Sequence, residues 1–416
     1  MSPPALVRPF MALRPRADVA AEVVAPPYDV VSSDEARTLA AGKPASFLHI
    51  SRPEIDLPPG SSPYSDEAYA RGAANFKRLC EEGILRRDSE QSFYIYRMRM
   101  RDHVQTGVAC IASVAAYEAG RIRRHELTRP DKENDRVRNI ATLRAQTGPV
   151  LLAYQADRAI GALIEASTSV PPAVEVPGPN DTQHSLWPVV APERIVAFLS
   201  AFDALEALYI ADGHHRSGAA ARVAAQRRSS ATASSPLASY EYFLAVAFPH
   251  DQMRILAYNR VVRDLGDSSV EALLSGIGES FAVKASDTPV QPTEPATFGM
   301  YLDGRWYRLK IRDDLVPRED PVASLDVSLL QQHLLAPLLG IGDPRTDARI
   351  DFVGGVRGLA ELERRVASGG AAVAFAMHPT QIEQLMAVAD AGRLMPPKST
   401  WFEPKLVDGL LTHVLD

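Results

Sequence analysis

The amino-acid sequence predicts an α+β fold in two domains, and three observations point there. The chain has 416 residues, more than one ordinary hydrophobic core accommodates. Apolar segments with strand character, one pair joined as a clear hairpin, stand beside single helical segments. They do not alternate strictly with them, as a doubly wound parallel sheet would require. No internal repeat is present. The first domain is expected over residues 1–235 and a second α+β domain over 236–416. The Ser/Ala-rich stretch 229–237 is the expected boundary or a mobile loop.

The elements follow in order. Ala25-Pro-Pro-Tyr-Asp-Val-Val31 is extended, because each proline fixes its own φ and disfavours helix in the residue before it. Ser33 is the expected N-cap of a helix with Asp34 and Glu35 in its first turn and a stop near Gly42. A second helix begins at Ser65, carries Tyr69, Ala73, Phe76, Leu79 and Cys80 at helical spacing, and ends at Gly83. Phe93–Met100 and Gly107–Val114 read as a strand pair. A polar run from Arg121 to Arg136 leads into a helix with Val137, Ile140 and Leu143 on one face. That helix is expected to stop at Thr147-Gly148-Pro149, before a strand at Val150–Tyr154. Residues 171–182 read as a Pro/Gly-rich loop, 192–205 as a helix, Leu208–Ala211 as a short buried strand, and the Ala-rich run after Arg216 as a helix. The second domain is expected to open with a strand at Tyr242–Phe248. It holds a hairpin between Phe298 and Ile311 that turns at Asp303-Gly304.

Composition narrows the function. The chain is 46% hydrophobic and 23% charged, a globular balance, and its net charge of -6 argues against a main task of holding nucleic acid by its phosphates. No apolar run approaches the length of a membrane span, and the N-terminal residues lack the apolar core of a signal peptide, so a soluble cytoplasmic protein is expected. Cys80 and Cys110 sit in apolar stretches and read as small core residues.

The chemistry concentrates in Asp212-Gly-His-His-Arg216, between a strand and a helix. A helix N-terminus offers unpaired N–H groups and a positive dipole end, so it attracts anions. Gly213 permits close approach of a ligand, Arg216 adds a fork of donors suited to phosphate, and His214 and His215 donate hydrogen bonds or move protons near neutral pH. Asp212 is a cap, a base, a metal ligand or the partner of a histidine. A zinc site is not expected, because adjacent histidines alternate in direction and no third ligand stands at a recognisable spacing. Upstream, Glu126 stands in a polar cluster with His125, Lys132, Asp135 and Arg136, a candidate base or magnesium ligand with phosphate-binding cations beside it. Asp29, held by the two prolines before it, is the other candidate base. In Met395-Pro-Pro-Lys-Ser-Thr-Trp-Phe-Glu-Pro-Lys405, Lys398, Ser399 and Lys405 are candidate substrate-binding groups in a stiff loop.

These segments together, Ala25–Val31, His125–Arg136, Asp212–Arg216 and Met395–Lys405, resemble the bacterial family known as domain-of-unknown-function family 1015. More distantly, Asp-Gly-His-x-Arg ahead of a helix is similar to the phosphate-binding box of the ParB/sulfiredoxin superfamily. That superfamily includes chromosome-partition proteins, sulfiredoxins and free-serine kinases on a compact α+β nucleotide fold. The kinases carry an Asp-Gly-His-Thr-Arg box and a separate catalytic glutamate. The resemblance implies that Asp212–Arg216 grips nucleotide phosphates. It implies a phosphotransferase using ATP or ADP with magnesium on serine or phosphoserine, with Glu126 or Asp29 as base. A homodimer is compatible with it. A nucleotide-binding regulator of ParB type and a phosphoserine hydrolase using the histidine pair are the alternatives. The small serine kinases lack a counterpart of the second half, so their chemistry need not transfer intact.

Overall fold

The computed structural model describes residues 4–230 and 235–416; residues 231–234, in the middle of the Ser/Ala-rich stretch, lie outside the described residues. The chain forms two units, Met1–Met253 with Pro404–Asp416, and Arg254–Glu403. The division drawn in the sequence at 235/236 is therefore not where the units part. The reason is the strand at Tyr242–Pro249: all eight residues are buried, and it sits inside the sheet of the first unit.

That sheet has nine strands: β1 (Val7–Arg8), β2 (Phe93–Met100), β3 (His103–Ser113), β4 (Ile122–Arg123), β5 (Val150–Tyr154), β6 (Val174–Gly178), β7 (Thr182–Val189), β8 (Leu208–Asp212) and β9 (Tyr242–Pro249). They lie in the order β4-β8-β5-β9-β3-β2-β7-β6, with β1 also paired to β3. Only β4 with β8 and β5 with β9 are parallel. The mixed sheet with separate helices bears out the α+β expectation. Apolar runs in β5 and β9 are buried on both faces, as central strands must be. Gly107 lets β3 and β9 approach, since a Cβ there would stand 2.4 Å from the Ala247 carbonyl oxygen and 2.8 Å from the Phe248 ring.

The longer helices of this unit are α1 (Ser33–Ala40), α2 (Asp66–Glu81), α3 (Pro130–Leu143), α4 (Arg158–Ser167), α5 (Pro192–Asp203) and α6 (His214–Ser230). Ser32 rather than Ser33 caps α1, because its hydroxyl accepts from Glu35 N while the Glu35 carboxylate accepts from Ser32 N. Ser65 caps α2 as expected. Helix α3 stops at Leu143, ahead of the expected Gly-Pro signal, where Arg144 turns left-handed (φ 51°); Ala145 and Gln146 then pair with Val414 and His413. The stretch read as a loop at 171–182 contains β6 and the start of β7. Val174 and Val176 are buried on alternate positions, and Asn180 and Asp181 supply the left-handed turn (both φ 57°). Pro177 is tolerated there because β6 is the last strand of the sheet. Phe93 packs on Phe198, and Tyr154 on Phe202, each pair with ring centroids 5.6 Å apart between sheet and α5.

The last residues of the chain are threaded into this first unit. Ala25 and Asp408 exchange backbone hydrogen bonds of 3.1 and 3.0 Å, and Leu13 and Thr412 exchange two of 2.9 Å. Leu406, Val407, Leu410, Leu411 and Leu415 are buried.

The second unit carries a six-stranded antiparallel sheet of β10 (Tyr258–Val262), β11 (Phe281–Ser286), β12 (Thr297–Leu302), β13 (Arg305–Ile311), β14 (Ile350–Gly354) and β15 (Val373–Ala376), in the order β11-β13-β12-β15-β10-β14. The β12–β13 hairpin turns at Asp303-Gly304 (φ 48° and 74°), as its sequence predicts. Among the described residues no helix is long and apolar enough to cross a membrane.

Removing the side chain that anchors the returning tail should unsettle the first unit. Leu411→Ala, at a position 3% exposed, is expected to cost about 2–5 kcal/mol. Val283→Ala, on a strand of the second unit and 37% exposed, should cost less than about 1 kcal/mol. Denaturant unfolding of both variants checks this, and equal losses would contradict the role given to the tail.

Candidate functional site

Strand β8 ends at Asp212 after a register shift against β5, and α6 starts two residues later. Gly213 makes the turn with φ +102°, a region that disfavours side chains. A Cβ there would come within 3.1 Å of the Arg216 guanidinium and 3.3 Å of Val150 Cα. The first turn of α6 holds His214, His215 and Arg216 and no acidic residue, so its positive dipole end is not offset from within the helix.

Two cations and two carboxylates converge on this turn. Arg216 Nη2 lies 3.4 Å from Asp212 Oδ2 and 3.8 Å from Asp29 Oδ2, and Nη1 donates to the Pro149 carbonyl. Lys405, delivered by the returning tail, places Nζ 3.3 Å from the same Asp212 oxygen. Burial alone would raise the Asp212 carboxyl, but Lys405 and Arg216 outweigh it and hold the group well below the usual carboxylate range. Burial opposes the charge on Arg216 as well, and Asp212 and Asp29 more than restore it.

Arg136 joins the same region, with its guanidinium 3.8 Å over the Tyr28 ring and 2.7 Å from Asp135, whose other oxygen accepts from Tyr69 at 2.5 Å. A cavity is lined by Tyr28, Arg136, Gln146, Gly148, Arg216 and Phe243, among others. Asp408 adds a carboxylate that sequence reasoning missed. It is 2% exposed, and a Cβ on Gly148 would stand 3.4 Å from both its Oδ1 and Arg216 Cδ, which sets the two side chains side by side. Burial raises its carboxyl from 3.8 to about 7, against the pull of Arg216 and with the push of Asp29. Nothing in the local sequence marks it beyond an Asp-Gly turn, since its place depends on the pairing of Ala25 with residue 408.

The two histidines diverge, as adjacent residues on a helix must. His214 turns to His125 and Glu126: the His rings stand edge to face at 4.5 Å, and His214 Nδ1 is 3.7 Å from Glu126 Oε2. His215 Nε2 accepts from Arg129 N at 3.0 Å. Burial lowers the pKa of both, so at pH 7 they are neutral hydrogen-bonding groups rather than cations facing a phosphate. The sequence offers no third ligand at a recognisable spacing beside the histidine pair, but the fold brings two other donors to His214 alone. The donor atoms of His125, Glu126 and His214 all lie within 4.8 Å of one another. Lys132 is engaged elsewhere, donating to the Tyr64 hydroxyl at 2.7 Å. Lys398 and Ser399 belong to the second unit, with Lys398 over the Tyr258 ring at 5.6 Å and Ser399 donating to Pro396 O at 2.6 Å.

Residues 7–328, more than half of the chain, match the family described as "Protein of unknown function (DUF1015)". The chain belongs to that family. No curated protein matches this DUF1015 chain. Among solved structures, parts of it are similar to a free serine kinase in complex with AMP (12% identity, 73% of this chain and 89% of that one, TM-score 0.33). Others are a conserved hypothetical protein from Pyrococcus furiosus (12%, 75% and 97%, 0.33) and SbnI with a C-terminal truncation from Staphylococcus aureus (11%, 72% and 85%, 0.38). Likenesses of this size assign no activity to this chain.

The Asp408 environment gives a pH signature. Its carboxyl titrates near 7 in the folded protein and near 4 when unfolded, so the unfolded chain ionises first and rising pH favours unfolding between those values. Asp408→Asn should match the parent below pH ~4 and gain on it progressively up to pH ~7, by on the order of 1–4 kcal/mol, with a constant difference above. Denaturant melts across this range test it; a difference that does not change with pH would refute it.

Proposed function

We propose that this DUF1015 protein is a nucleotide-dependent phosphotransferase acting on a small hydroxy amino acid, serine or phosphoserine, with ATP or ADP held at the turn Asp212–Arg216 of a ParB/sulfiredoxin-like first unit. The observation that carries this reading is the convergence of Arg216 and Lys405 on Asp212 at the N-terminus of α6, whose first turn holds no acidic residue. Phosphoryl transfer needs positioned phosphates and charge neutralisation more than covalent help from the protein. The backbone N–H groups of the turn and the Arg216 fork supply the first, and Lys405 and Arg216 the second.

In the forward direction the serine hydroxyl oxygen forms a bond to the terminal phosphorus, and the bond from that phosphorus to its bridging oxygen breaks. The electron pair leaves on the shortened nucleotide. The hydroxyl proton goes to a carboxylate. Asp29 is the better placed of the two candidates, because it faces the Arg216 guanidinium while Glu126 is grouped with the histidines. The carboxylates of Asp29 and Asp212 are oxygen donors of the kind Mg²⁺ takes when it accompanies phosphates. The neutral rings of His214 and His215 are left to orient neighbours by hydrogen bonding.

Phosphorus NMR on the purified protein with Mg²⁺ tests the reading, using ATP with serine, ADP with phosphoserine, and phosphoserine alone. Phosphoserine is expected in the first sample, or ATP in the second, and neither with Asp212→Ala. Asp29→Asn should lower turnover by roughly 10²–10⁴-fold with little change in nucleotide affinity. Arg216→Ala should weaken nucleotide binding by about tenfold or more. Free phosphate from phosphoserine alone would replace this reading with a hydrolase. Tight nucleotide binding with no product in any sample would replace it with a regulator.

A further inference from the structure

His125, Glu126 and His214 come from two places far apart in the chain, the segment after β4 and the first residue of α6. The His125 ring is 2% exposed. Its Nδ1 is buried with no hydrogen-bond partner. A buried nitrogen in that state calls for an ion or an ordered water. The His214 ring stands at right angles to that of His125, and its contact from His125 N is 3.5 Å, too long to commit the ring.

We propose that His125, Glu126 and His214 bind a divalent first-row transition metal of the zinc class, separate from any Mg²⁺ that accompanies a nucleotide. Two imidazoles and one carboxylate form a donor set suited to Zn²⁺, whereas Mg²⁺ prefers oxygen ligands and retains its waters. Donors around a tetrahedral ion with bonds of 2.0–2.1 Å stand about 3.3 Å apart. His214 Nδ1 and Glu126 Oε2 are already 3.7 Å apart, and the donor atoms of all three residues lie within 4.8 Å of one another. Three protein ligands leave a position for water or a substrate oxygen. The inference stands on this cluster and does not depend on the phosphotransferase reading.

The test uses the full-length protein stripped with a chelator, then titrated with Zn²⁺, Co²⁺ and Mg²⁺ alone. The expected result is one equivalent of Zn²⁺ bound, visible absorption from bound Co²⁺, and no displacement of Zn²⁺ by an equal concentration of Mg²⁺. Since His125 and His214 are buried and their replacement can unsettle the fold, Glu126→Gln carries the main comparison, with circular dichroism confirming that it folds. It should weaken Zn²⁺ binding by at least about tenfold and remove the Co²⁺ absorption. Absence of stoichiometric binding, equal affinity in the Glu126→Gln variant, or displacement by an equal concentration of Mg²⁺ would each overturn the proposal. None of these readouts involves phosphoryl transfer, so failure here and failure of the phosphotransferase are told apart.

Discussion

The site depends on keeping one guanidinium charged while nearly removing it from water. The Arg216 side chain is 11% exposed, and a cation in that position persists only when carboxylates hold it. Asp212 and Asp29 do so, on opposite sides in the chain and at 3.4 and 3.8 Å. Neither contact is as short as a fully formed ion pair, so the guanidinium is oriented without being saturated. Lys405 shares the same Asp212 oxygen at 3.3 Å. Around this cation the other features acquire reasons. Gly213 is glycine because its φ of +102° disfavours a side chain and a Cβ would crowd the guanidinium at 3.1 Å, and burial with the push of Asp29 raises the Asp408 carboxyl to about 7.

Topology supplies the carboxylates and the lysine. Asp29 lies in a turn closed by Val30 N donating to the Pro27 carbonyl at 3.2 Å, where the prolines had predicted extended backbone, and the segment is fastened to the returning tail through Ala25 and residue 408. The same tail carries Lys405 and Asp408. A chain that ended its first unit at residue 253 would leave this side of the turn incomplete. The apolar residues Leu406, Val407, Leu410 and Leu411 explain why the tail stays: they bury themselves in the first unit, and hydrophobic burial holds the polar side chains between them in register.

On the other side of the turn, β4 runs parallel to β8 and feeds His125 and Glu126 toward the start of α6. One helix N-terminus thus has two chemically different flanks: a charged one built from Asp29, Asp212, Arg216 and Lys405, and a neutral imidazole one built from His125 and His214. His214 turns to the second flank, while His215 accepts from Arg129 N. Helical geometry sends adjacent side chains about 100° apart, so one histidine faces each way.

Much of the fold was legible in the sequence wherever a few consecutive residues decide the outcome. Ser65 as a cap, Asp303-Gly304 as a hairpin turn, the strand–turn–helix at Asp212–Arg216 and the α+β class all follow from local propensity, turn chemistry and apolar spacing. Asp212, Arg216 and Asp29 could be singled out for the same reason, since their chemistry is visible beside its neighbours. Tertiary structure alone decided the rest. The β6–β7 hairpin was hidden by prolines that are harmless only on an edge strand, and the unit boundary by a strand whose partners are remote in sequence. Asp408 beside Arg216, and His125 with Glu126 beside His214, arise from pairings between segments roughly 90 to 380 residues apart. Such pairings depend on which registers bury the most apolar surface at once, a property of the whole chain that no short window contains.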